Sequence, residues 1–151
     1  MRPLLHLVAA NVRSAYNVGA LLRTADSLGV AKVWLTGYTP RGDHPMVKKT
    51  ALGAEQVVPW EHMPDPIACM ERLRAEGIRV VGLEIVEGAK DLRSYQPTFP
   101  MALVLGNEVE GLSPLQLKAC HEHVMIPQQG SKESLNVMVA AGIAAWVLLH
   151  H

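Results

Sequence analysis

The chain has 151 residues, 49% of them hydrophobic and 19% charged, and its 14 lysines and arginines balance 14 aspartates and glutamates. A chain of this length buries roughly two thirds of its unfolded surface, so the composition predicts one globular domain and excludes disordered and fibrous proteins. Cys69 and Cys120 are its only cysteines. Two cysteines without a short repeated spacing exclude a disulfide framework and favour a reducing, cytoplasmic setting.

The apolar pattern also bears on membranes. No apolar run approaches the roughly 20 residues that a transmembrane helix requires. The first residues, MRPLLH, lack the long apolar region and cleavage site of a secretory signal. We therefore expect a soluble protein that is not exported and has no membrane partner.

The balanced total charge conceals an uneven distribution along the chain. Residues 1–60 hold seven lysines and arginines against three acidic residues, whereas residues 61–151 hold seven against eleven. This separation is typical either of a face that binds a polyanion or of ordinary solvated surface charge. The basic candidates for contact with a polyanion are Arg13, Arg23, Arg41, Lys48 and Lys49.

Strand and helix patterns alternate through the first half of the chain. Residues 4–10 form a short apolar run that predicts a strand, and apolar residues three and four apart predict a helix over 18–28 that Gly29 ends. The following predictions are a strand at 31–36, a loop at 37–45, a helical piece at 47–51, a small strand at 56–58, a helix at 66–76 and a buried strand at 78–85.

The second half continues the alternation, with a strand at 101–105, a helix at 114–119 and a strand at 122–126. Together these elements predict an α/β fold with a parallel sheet. Residues 135–149 are apolar on every side apart from Asn136, which predicts a helix buried all round. We expect part of this helix to pack against another subunit.

Two loops that follow predicted strands stand out as candidate sites. Residues 105–113 read LGNEVEGLS, and residues 126–136 read IPQQGSKESLN. Ligands of open α/β sheets bind beyond the carboxyl ends of the strands, where both loops would lie. Neither loop has the glycine spacing of ordinary NAD or P-loop sites, so those ligands are disfavoured.

Several side chains near these loops admit a structural and a functional interpretation. Asn17 either caps the first helix or points into a site, and Ser134 resembles a helix cap as well. Arg23 lies off the apolar stripe of its helix and is an exposed arginine on the simplest interpretation.

Two further sets of side chains are candidates for a catalytic or a metal site. Glu108 and Glu110 form a pair of turn carboxylates, as a hydrolase would use, although such carboxylates are more often solvated or capping. The cluster of Cys120, His121 and His123 has no remote second pair of ligands, so no metal site is predicted.

Three segments taken in order resemble a known family. These are NVRSAYNVGALLRTADSLG from residue 11, LVLGNEVEGLS from residue 103 and IPQQGSKESLNVMVAAGI from residue 126. They resemble the three motifs of the SpoU, or TrmH-type, RNA ribose 2'-O-methyltransferases of the SPOUT superfamily. The resemblance spans nearly the whole chain, with one methyltransferase domain and no extra RNA-binding extension.

The resemblance implies a Rossmann-like domain with a C-terminal trefoil knot, S-adenosylmethionine as methyl donor, an RNA substrate (tRNA or rRNA) and a homodimer. By motif position, the implied active-site residues are Asn17, Arg23, Glu108, Ser134 and Asn136. The implied cofactor-binding residues are Leu83, Leu105, Gly106, Ile126 and Leu135.

The resemblance also assigns Arg23 the activation of the ribose hydroxyl. A guanidinium keeps its proton near neutral pH, since its pKa exceeds about 12, so phosphate anchoring and stabilisation of a developing alkoxide suit it better than general-base catalysis. Glu108 would then hold Arg23 or a loop of the partner subunit. Two alternatives stay open: a catalytically silent module that binds RNA or cofactor, and methylation of an RNA base.

Overall fold

The computed structural model describes residues 3–132 and 134–151. Its strands in this part of the chain are β1 (Leu5–Ala10), β2 (Lys32–Thr36), β3 (Trp60–Met63), β4 (Arg79–Leu83), β5 (Lys90–Asp91), β6 (Met101–Leu105) and β7 (Glu122–Met125). Its α-helices there are α1 (Ala15–Leu28), α2 (Pro45–Ala51), α3 (Pro66–Ala75), α4 (Pro114–Ala119) and α5 (Val137–Leu149). Within these described residues, no helix has the length and apolar character needed to cross a membrane.

All strand pairs in the sheet are parallel, and the strand order is β3-β2-β1-β6-β4-β7-β5. The chain twice returns to the interior of the sheet, because β6 enters between β1 and β4 and β7 enters between β4 and β5. The parallel α/β prediction is confirmed. Because parallel strands end at one edge, the loops after β1, β4, β6 and β7 lie side by side.

Side chains of β1 alternate between two apolar layers that cover the sheet. Leu5, Leu7 and Ala9 pack in the layer that contains the buried residues of α1 and α5. Val8 and Ala10 pack in the opposite layer with residues of α3. A strand buried on both faces is continuously apolar, which explains why β1 and β6 were recognisable from sequence.

Helix α1 begins earlier than its apolar stripe indicates. Ser14 is the N-cap, and its side chain accepts a hydrogen bond from the backbone N–H of Asn17. Gly29, with φ of 69°, ends the helix. Since Ser14 is the capping residue, the side chain of Asn17 is available for a contact outside the helix.

One predicted strand is wrong, and two strands were missed. No strand forms at residues 56–58, where Ala54–Gln56 is a 3₁₀ turn and Val58 fills the core from the following loop. The strand is Trp60–Met63 instead, half-buried at the edge of the sheet beside β2. The short β5 is polar and pairs only with β7. Edge strands bury little, so their sequences carry a weak apolar signal.

Helix α5 is not buried all round, contrary to the prediction. It starts at Val137, with Asn136 as its N-cap, and buries one face against the core. The opposite face is open in the single chain: Val139, Ile143 and Trp146 are 52%, 41% and 56% exposed. A uniformly apolar helix that packs on one sheet can bury only the side that faces the sheet. The outer face of α5 is therefore uncovered in the single chain.

Helices α1 and α2 approach closely at Gly19. A Cβ on Gly19 would lie 1.7 Å from Oγ1 of Thr50 and 2.8 Å from the carbonyl oxygen of Val47. The contact presses α2 against α1 and thereby positions Lys48 and Lys49, which are exposed on α2. Glycine therefore serves helix packing at this position, at the expense of helix propensity.

We expect Gly19→Ala to destabilise the protein by about 1–3 kcal/mol, because the methyl group overpacks the contact between α1 and α2. Helix propensity alone would stabilise the variant by about 1 kcal/mol. A lower free energy of unfolding in the variant therefore identifies overpacking as the cause. Urea unfolding measures it. Gly142→Ala is the matched control, since its methyl group meets only Cγ2 of Thr24 at 3.8 Å. Equal stability of Gly19→Ala and wild type would contradict the packing argument.

Candidate active site

A cleft lies at the carboxyl edge of the sheet, between the loops that follow β4, β6 and β7. Its lining comes from residues 83–85, 106–111, 125–126 and 128, and from the start of α5 with the residues just before it. The cleft encloses about 720 Å³ of empty space, counting the part open to solvent. A cleft at the carboxyl ends of parallel strands is the usual place for a ligand in an open α/β sheet.

Asn107 joins three of the loops at this edge. Its Nδ2 donates to the backbone oxygen of Asn11 at 3.0 Å and to the hydroxyl of Tyr38 at 2.9 Å. Its Oδ1 accepts from the backbone N–H groups of Val109 and Glu110, at 2.8 and 2.9 Å. The side chain is 8% exposed. One buried amide therefore shapes the β6 turn and fixes that turn to the loops after β1 and β2.

Glu108, on the same turn, faces the start of α1. Its carboxylate accepts from the backbone N–H groups of Arg13 and Ser14, at 2.9 and 2.8 Å, and from Nδ2 of Asn17 at 3.0 Å. Burial alone would raise the pKa of Glu108, but these donors outweigh it and hold the pKa below its ordinary value. The carboxylate is therefore ionised and acts as a fixed acceptor at the first turn of α1.

Within this chain, Glu108 does not hold Arg23, as one part of the prediction had it. It holds the backbone before α1 and the side chain of Asn17, and its contact with a partner loop stays a prediction. Arg23 is exposed on α1 and lies beside Gly142 and Trp146 of α5, outside the lining of the cleft. The single chain thus brings Asn17 and Glu108 together but leaves Arg23 apart from them.

Two further candidates lie where the third loop meets α5. Ser134 is exposed and lines the cleft. Asn136 caps α5, with its Oδ1 accepting from the backbone N–H groups of Met138 and Val139 at 2.9 and 3.3 Å. This leaves the amide nitrogen as the end of Asn136 that can donate to a ligand. Asn136, and not Ser134, is therefore the helix cap.

Four of the five predicted cofactor-binding residues line the cleft, namely Leu83, Gly106, Ile126 and Leu135. Leu105 does not, because its side chain is completely buried in the core, one residue before the cleft begins. A Cβ on Gly106 would lie 2.5 Å from the backbone carbon of Gly111 and 2.6 Å from the nitrogen of Leu112. Closure of the β6 turn itself therefore requires glycine at position 106.

Sequence reasoning missed Glu84, which lines the cleft directly after β4. Its Oε1 accepts from the backbone N–H of Leu112 at 2.8 Å, so it buttresses the far side of the β6 turn. The signal was its position at the end of a buried strand. Together with Glu108 and Glu110 it makes the cleft acidic, and the described lining contains no lysine or arginine.

The predicted RNA-binding residues form no single cluster with the cleft. Arg13, Arg41, Lys48 and Lys49 are all exposed, on the loop before α1, the loop after β2 and α2. Arg41 lies 5.4 Å from the ring centre of Trp60 and forms an exposed ion pair with Asp43. These cations flank the edge of the sheet without entering the acidic lining.

The three candidate metal ligands, Cys120, His121 and His123, each have a structural partner. Nδ1 of His121 accepts from the backbone N–H of Val80 at 2.9 Å, and Nε2 of His123 lies 2.9 Å from the oxygen of Leu117. The thiol of Cys120 donates to the oxygen of Gln116 at 3.5 Å. In residues 3–132 and 134–151, no three His, Cys, Asp or Glu side chains are grouped closely enough to hold a metal ion.

We expect Glu108→Gln to be less stable than wild type by about 1 kcal/mol at pH 7, because its amide oxygen replaces only one of the two accepting carboxylate oxygens and its NH2 group cannot accept from the N–H groups that face it. A carboxyl group with a lowered pKa stabilises the folded state at pH values above its ordinary pKa. This stabilisation is lost as the pH falls through the pKa of the folded state. The difference should therefore narrow below pH 4.5, the ordinary value for Glu108. Urea unfolding across this pH range measures it, with Glu110→Gln, exposed on the same turn, as control. A difference independent of pH would contradict the assigned role.

Comparison with known proteins gives the site a context. The sequence model of the SpoU rRNA Methylase family matches residues 4–146. The chain is 38% identical over 141 residues to the 23S rRNA (guanosine-2'-O-)-methyltransferase RlmB of Vibrio parahaemolyticus, covering 93% of this chain and 56% of that protein. The same-named protein of Salmonella typhi is 39% identical over 144 residues, covering 94% and 58%. The chain spans just over half of the length of these relatives.

Solved structures extend the likeness to the fold. The SpoU methyltransferase AviRb from Streptomyces viridochromogenes, in complex with AdoMet, aligns with a TM-score of 0.90 and 27% identity, covering 99% of this chain and 61% of that one. A structure described as "Structural insights into the 2-OH methylation of C/U34 on tRNA" aligns with a TM-score of 0.86 and 28% identity, covering 97% and 94%. The resemblance seen in the three loops is thereby confirmed, and the chain belongs to the SpoU rRNA Methylase family.

Proposed function

We propose that this chain transfers a methyl group from S-adenosylmethionine to a ribose 2'-hydroxyl of RNA, in the cytoplasm. The observation that carries the proposal is the acidic cleft at the carboxyl edge of the sheet, with Asn17 held on Glu108 at its rim and Ser134 in its lining. These residues come from the three segments that resemble the family's motifs. The two buried, free cysteines suit a reducing compartment.

The cleft fits a cationic, partly apolar cofactor. Leu83, Ile126 and Leu135 offer apolar contacts, and three glutamates give the lining a negative charge. S-adenosylmethionine carries a positive sulfonium and supplies an electrophilic methyl group when bound. An acidic cleft attracts that cation and repels the phosphates of RNA, so the two substrates approach from different sides.

The chain's own polar groups suit alignment of the reacting atoms. The oriented amide of Asn17, the hydroxyl of Ser134 and the amide nitrogen of Asn136 can each hydrogen-bond a ribose and hold its 2'-oxygen in line. Correct alignment contributes up to about 7–11 kcal/mol in well-oriented reactions. Arg23 then anchors a phosphate through its two-pronged guanidinium and stabilises the developing negative charge.

A homodimer is part of the proposal. The outer face of α5 exposes Val139, Ile143 and Trp146, and Arg23 lies beside this face rather than in the cleft of its own chain. Packing a second copy on this face buries the apolar side chains and carries Arg23 into the interface. We infer that Arg23 of one subunit completes the site of its partner. The trefoil knot implied by the family resemblance stays a prediction.

Methyl transfer to isolated RNA tests the function directly. Purified protein is incubated with methyl-labelled S-adenosylmethionine and either ribosomal RNA or total tRNA, and the labelled nucleosides are identified by mass spectrometry. We expect 2'-O-methylated nucleosides from one RNA class. Label on a base would replace the proposal with base methylation. Cofactor binding without transfer to either RNA would favour a catalytically silent module.

Mixing two inactive variants tests the shared site. We expect Arg23→Ala and Ser134→Ala to be inactive separately. A mixed dimer has one site that receives Arg23 from one subunit and Ser134 from the other, both intact. Since half of randomly reassorted dimers are mixed and each has one working site, about a quarter of wild-type activity should return.

The initial rate of methyl transfer after reassortment measures this recovery, and each variant mixed with itself is the control. If both residues act within one chain, every site carries a defect and no activity returns. That outcome would remove Arg23 of the partner from the active site, while leaving the proposed reaction in place.

A further inference from the structure

Tyr38 is an exposed aromatic residue that is held at two points beside the cleft. It is 59% exposed. Its hydroxyl accepts from Nδ2 of Asn107 at 2.9 Å, and its backbone N–H donates to Oδ1 of Asn11 at 3.2 Å. The chain reaches it through Gly37, whose φ of 66° turns the backbone out of β2. The ring is therefore fixed in direction while much of its surface remains open.

The anchor of Tyr38 belongs to the same turn as the candidate active site. Asn107 lines the cleft and precedes Glu108, which holds Asn17. A single hydrogen bond, from Asn107 to the hydroxyl of Tyr38, thus joins the ring to the turn that carries Glu108. A group that packs on the ring therefore lies close to a ribose bound at that turn.

The charges around Tyr38 are of the sign that RNA requires. The cleft repels phosphates, whereas Arg13, just before α1, and Arg41, on the same loop as Tyr38, are both exposed. Arg13 adjoins the site because its backbone N–H donates to Glu108. Arg41 follows Tyr38 by three residues on the same loop. An open ring with one exposed arginine on its own loop and another on the adjoining loop is a combination that single-stranded nucleic acid binds, with bases stacked and phosphates paired.

We propose that Tyr38 is a stacking platform for an unpaired base of the RNA substrate, next to the nucleotide whose ribose is methylated. The inference rests on the proposed function and adds a binding residue to it. Stacking accepts any base, so Tyr38 fixes the position of the strand and leaves base identity to other contacts. Because its ring is already oriented, little side-chain freedom is lost when a base binds.

Two substitutions separate stacking from a purely structural role. Tyr38→Phe keeps the aromatic face and removes the hydroxyl that contacts Asn107, whereas Tyr38→Leu removes both. If the platform matters, only Tyr38→Leu should raise the KM for RNA, by roughly 5- to 140-fold, with a much smaller change in kcat. This range is about 1–3 kcal/mol at about 1.4 kcal/mol per factor of ten. If the tie to Asn107 is the whole role, both variants should be impaired alike.

The experiment has a binding and a kinetic arm. RNA hairpins with a seven-nucleotide loop carry the fluorescent base 2-aminopurine at each loop position in turn, and quenching on addition of protein reports stacking. We expect one position to be quenched by wild type and by Tyr38→Phe but not by Tyr38→Leu. The KM and kcat for the RNA that is methylated are measured for the same proteins. Leu115→Ala, an exposed apolar residue on α4, is the surface control.

The possible outcomes distinguish a failure of the stacking role from a failure of the proposed function. If wild type methylates no RNA, the proposed function fails and the stacking role falls with it. If wild type is active but Tyr38→Leu binds, quenches and turns over RNA as wild type does, only the stacking role is overturned. A fall in thermal stability or a change in sedimentation of Tyr38→Leu that accounts for its lost activity would also overturn it, in favour of a structural or subunit contact.

Discussion

The hydrogen bonds of two consecutive side chains, Asn107 and Glu108, determine the arrangement of this edge of the molecule. Each reaches across from the β6 turn to segments almost a hundred residues earlier in the chain. Asn107 is buried, so each of its bonds replaces one that water would have supplied, and losing one leaves a buried polar group without a partner. Glu108 adds charge-assisted bonds to backbone N–H groups. The positions of Asn17 and Tyr38 both depend on this turn.

The same turn separates charge. The cleft on one side has three glutamates in its lining, while Arg13 and Arg41 lie exposed outside it. A sulfonium and an attacking oxygen with developing negative charge neutralise each other as the methyl group moves, so a dry site favours the reaction. In the proposed reaction, an acidic pocket for the donor and exposed arginines outside it for the acceptor would keep the two binding sites separate.

Sequence and structure agree best where burial is complete. The core strands β1 and β6 were predictable because continuous apolar runs leave few alternatives. The mostly exposed helix α4 was predictable for another reason, the proline at its first position. Contacts between distant segments were not predictable. Nothing local indicates that Glu84 supports Leu112, or that Asn107 reaches Tyr38. The three motif segments suggested candidate site residues only through resemblance, and their roles stay predictions.

The outer face of α5 marks a different limit of sequence reasoning. The all-apolar pattern of α5 predicted a helix that is buried all round, but one face is exposed in the single chain. The hydrophobic effect is non-directional, so an apolar sequence indicates that a surface avoids water but not which surface covers it.

Arg23 lies beside this same face. In the cleft of its own chain, its guanidinium would be drawn to Glu84, Glu108 or Glu110 and would weaken the acidic lining that favours a cationic cofactor. In the proposed dimer, the cation is carried on α1 of a second subunit and can face the RNA phosphate instead. The proposed dimer thus accounts for both the uncovered face of α5 and the position of Arg23, because it divides the catalytic site between two chains.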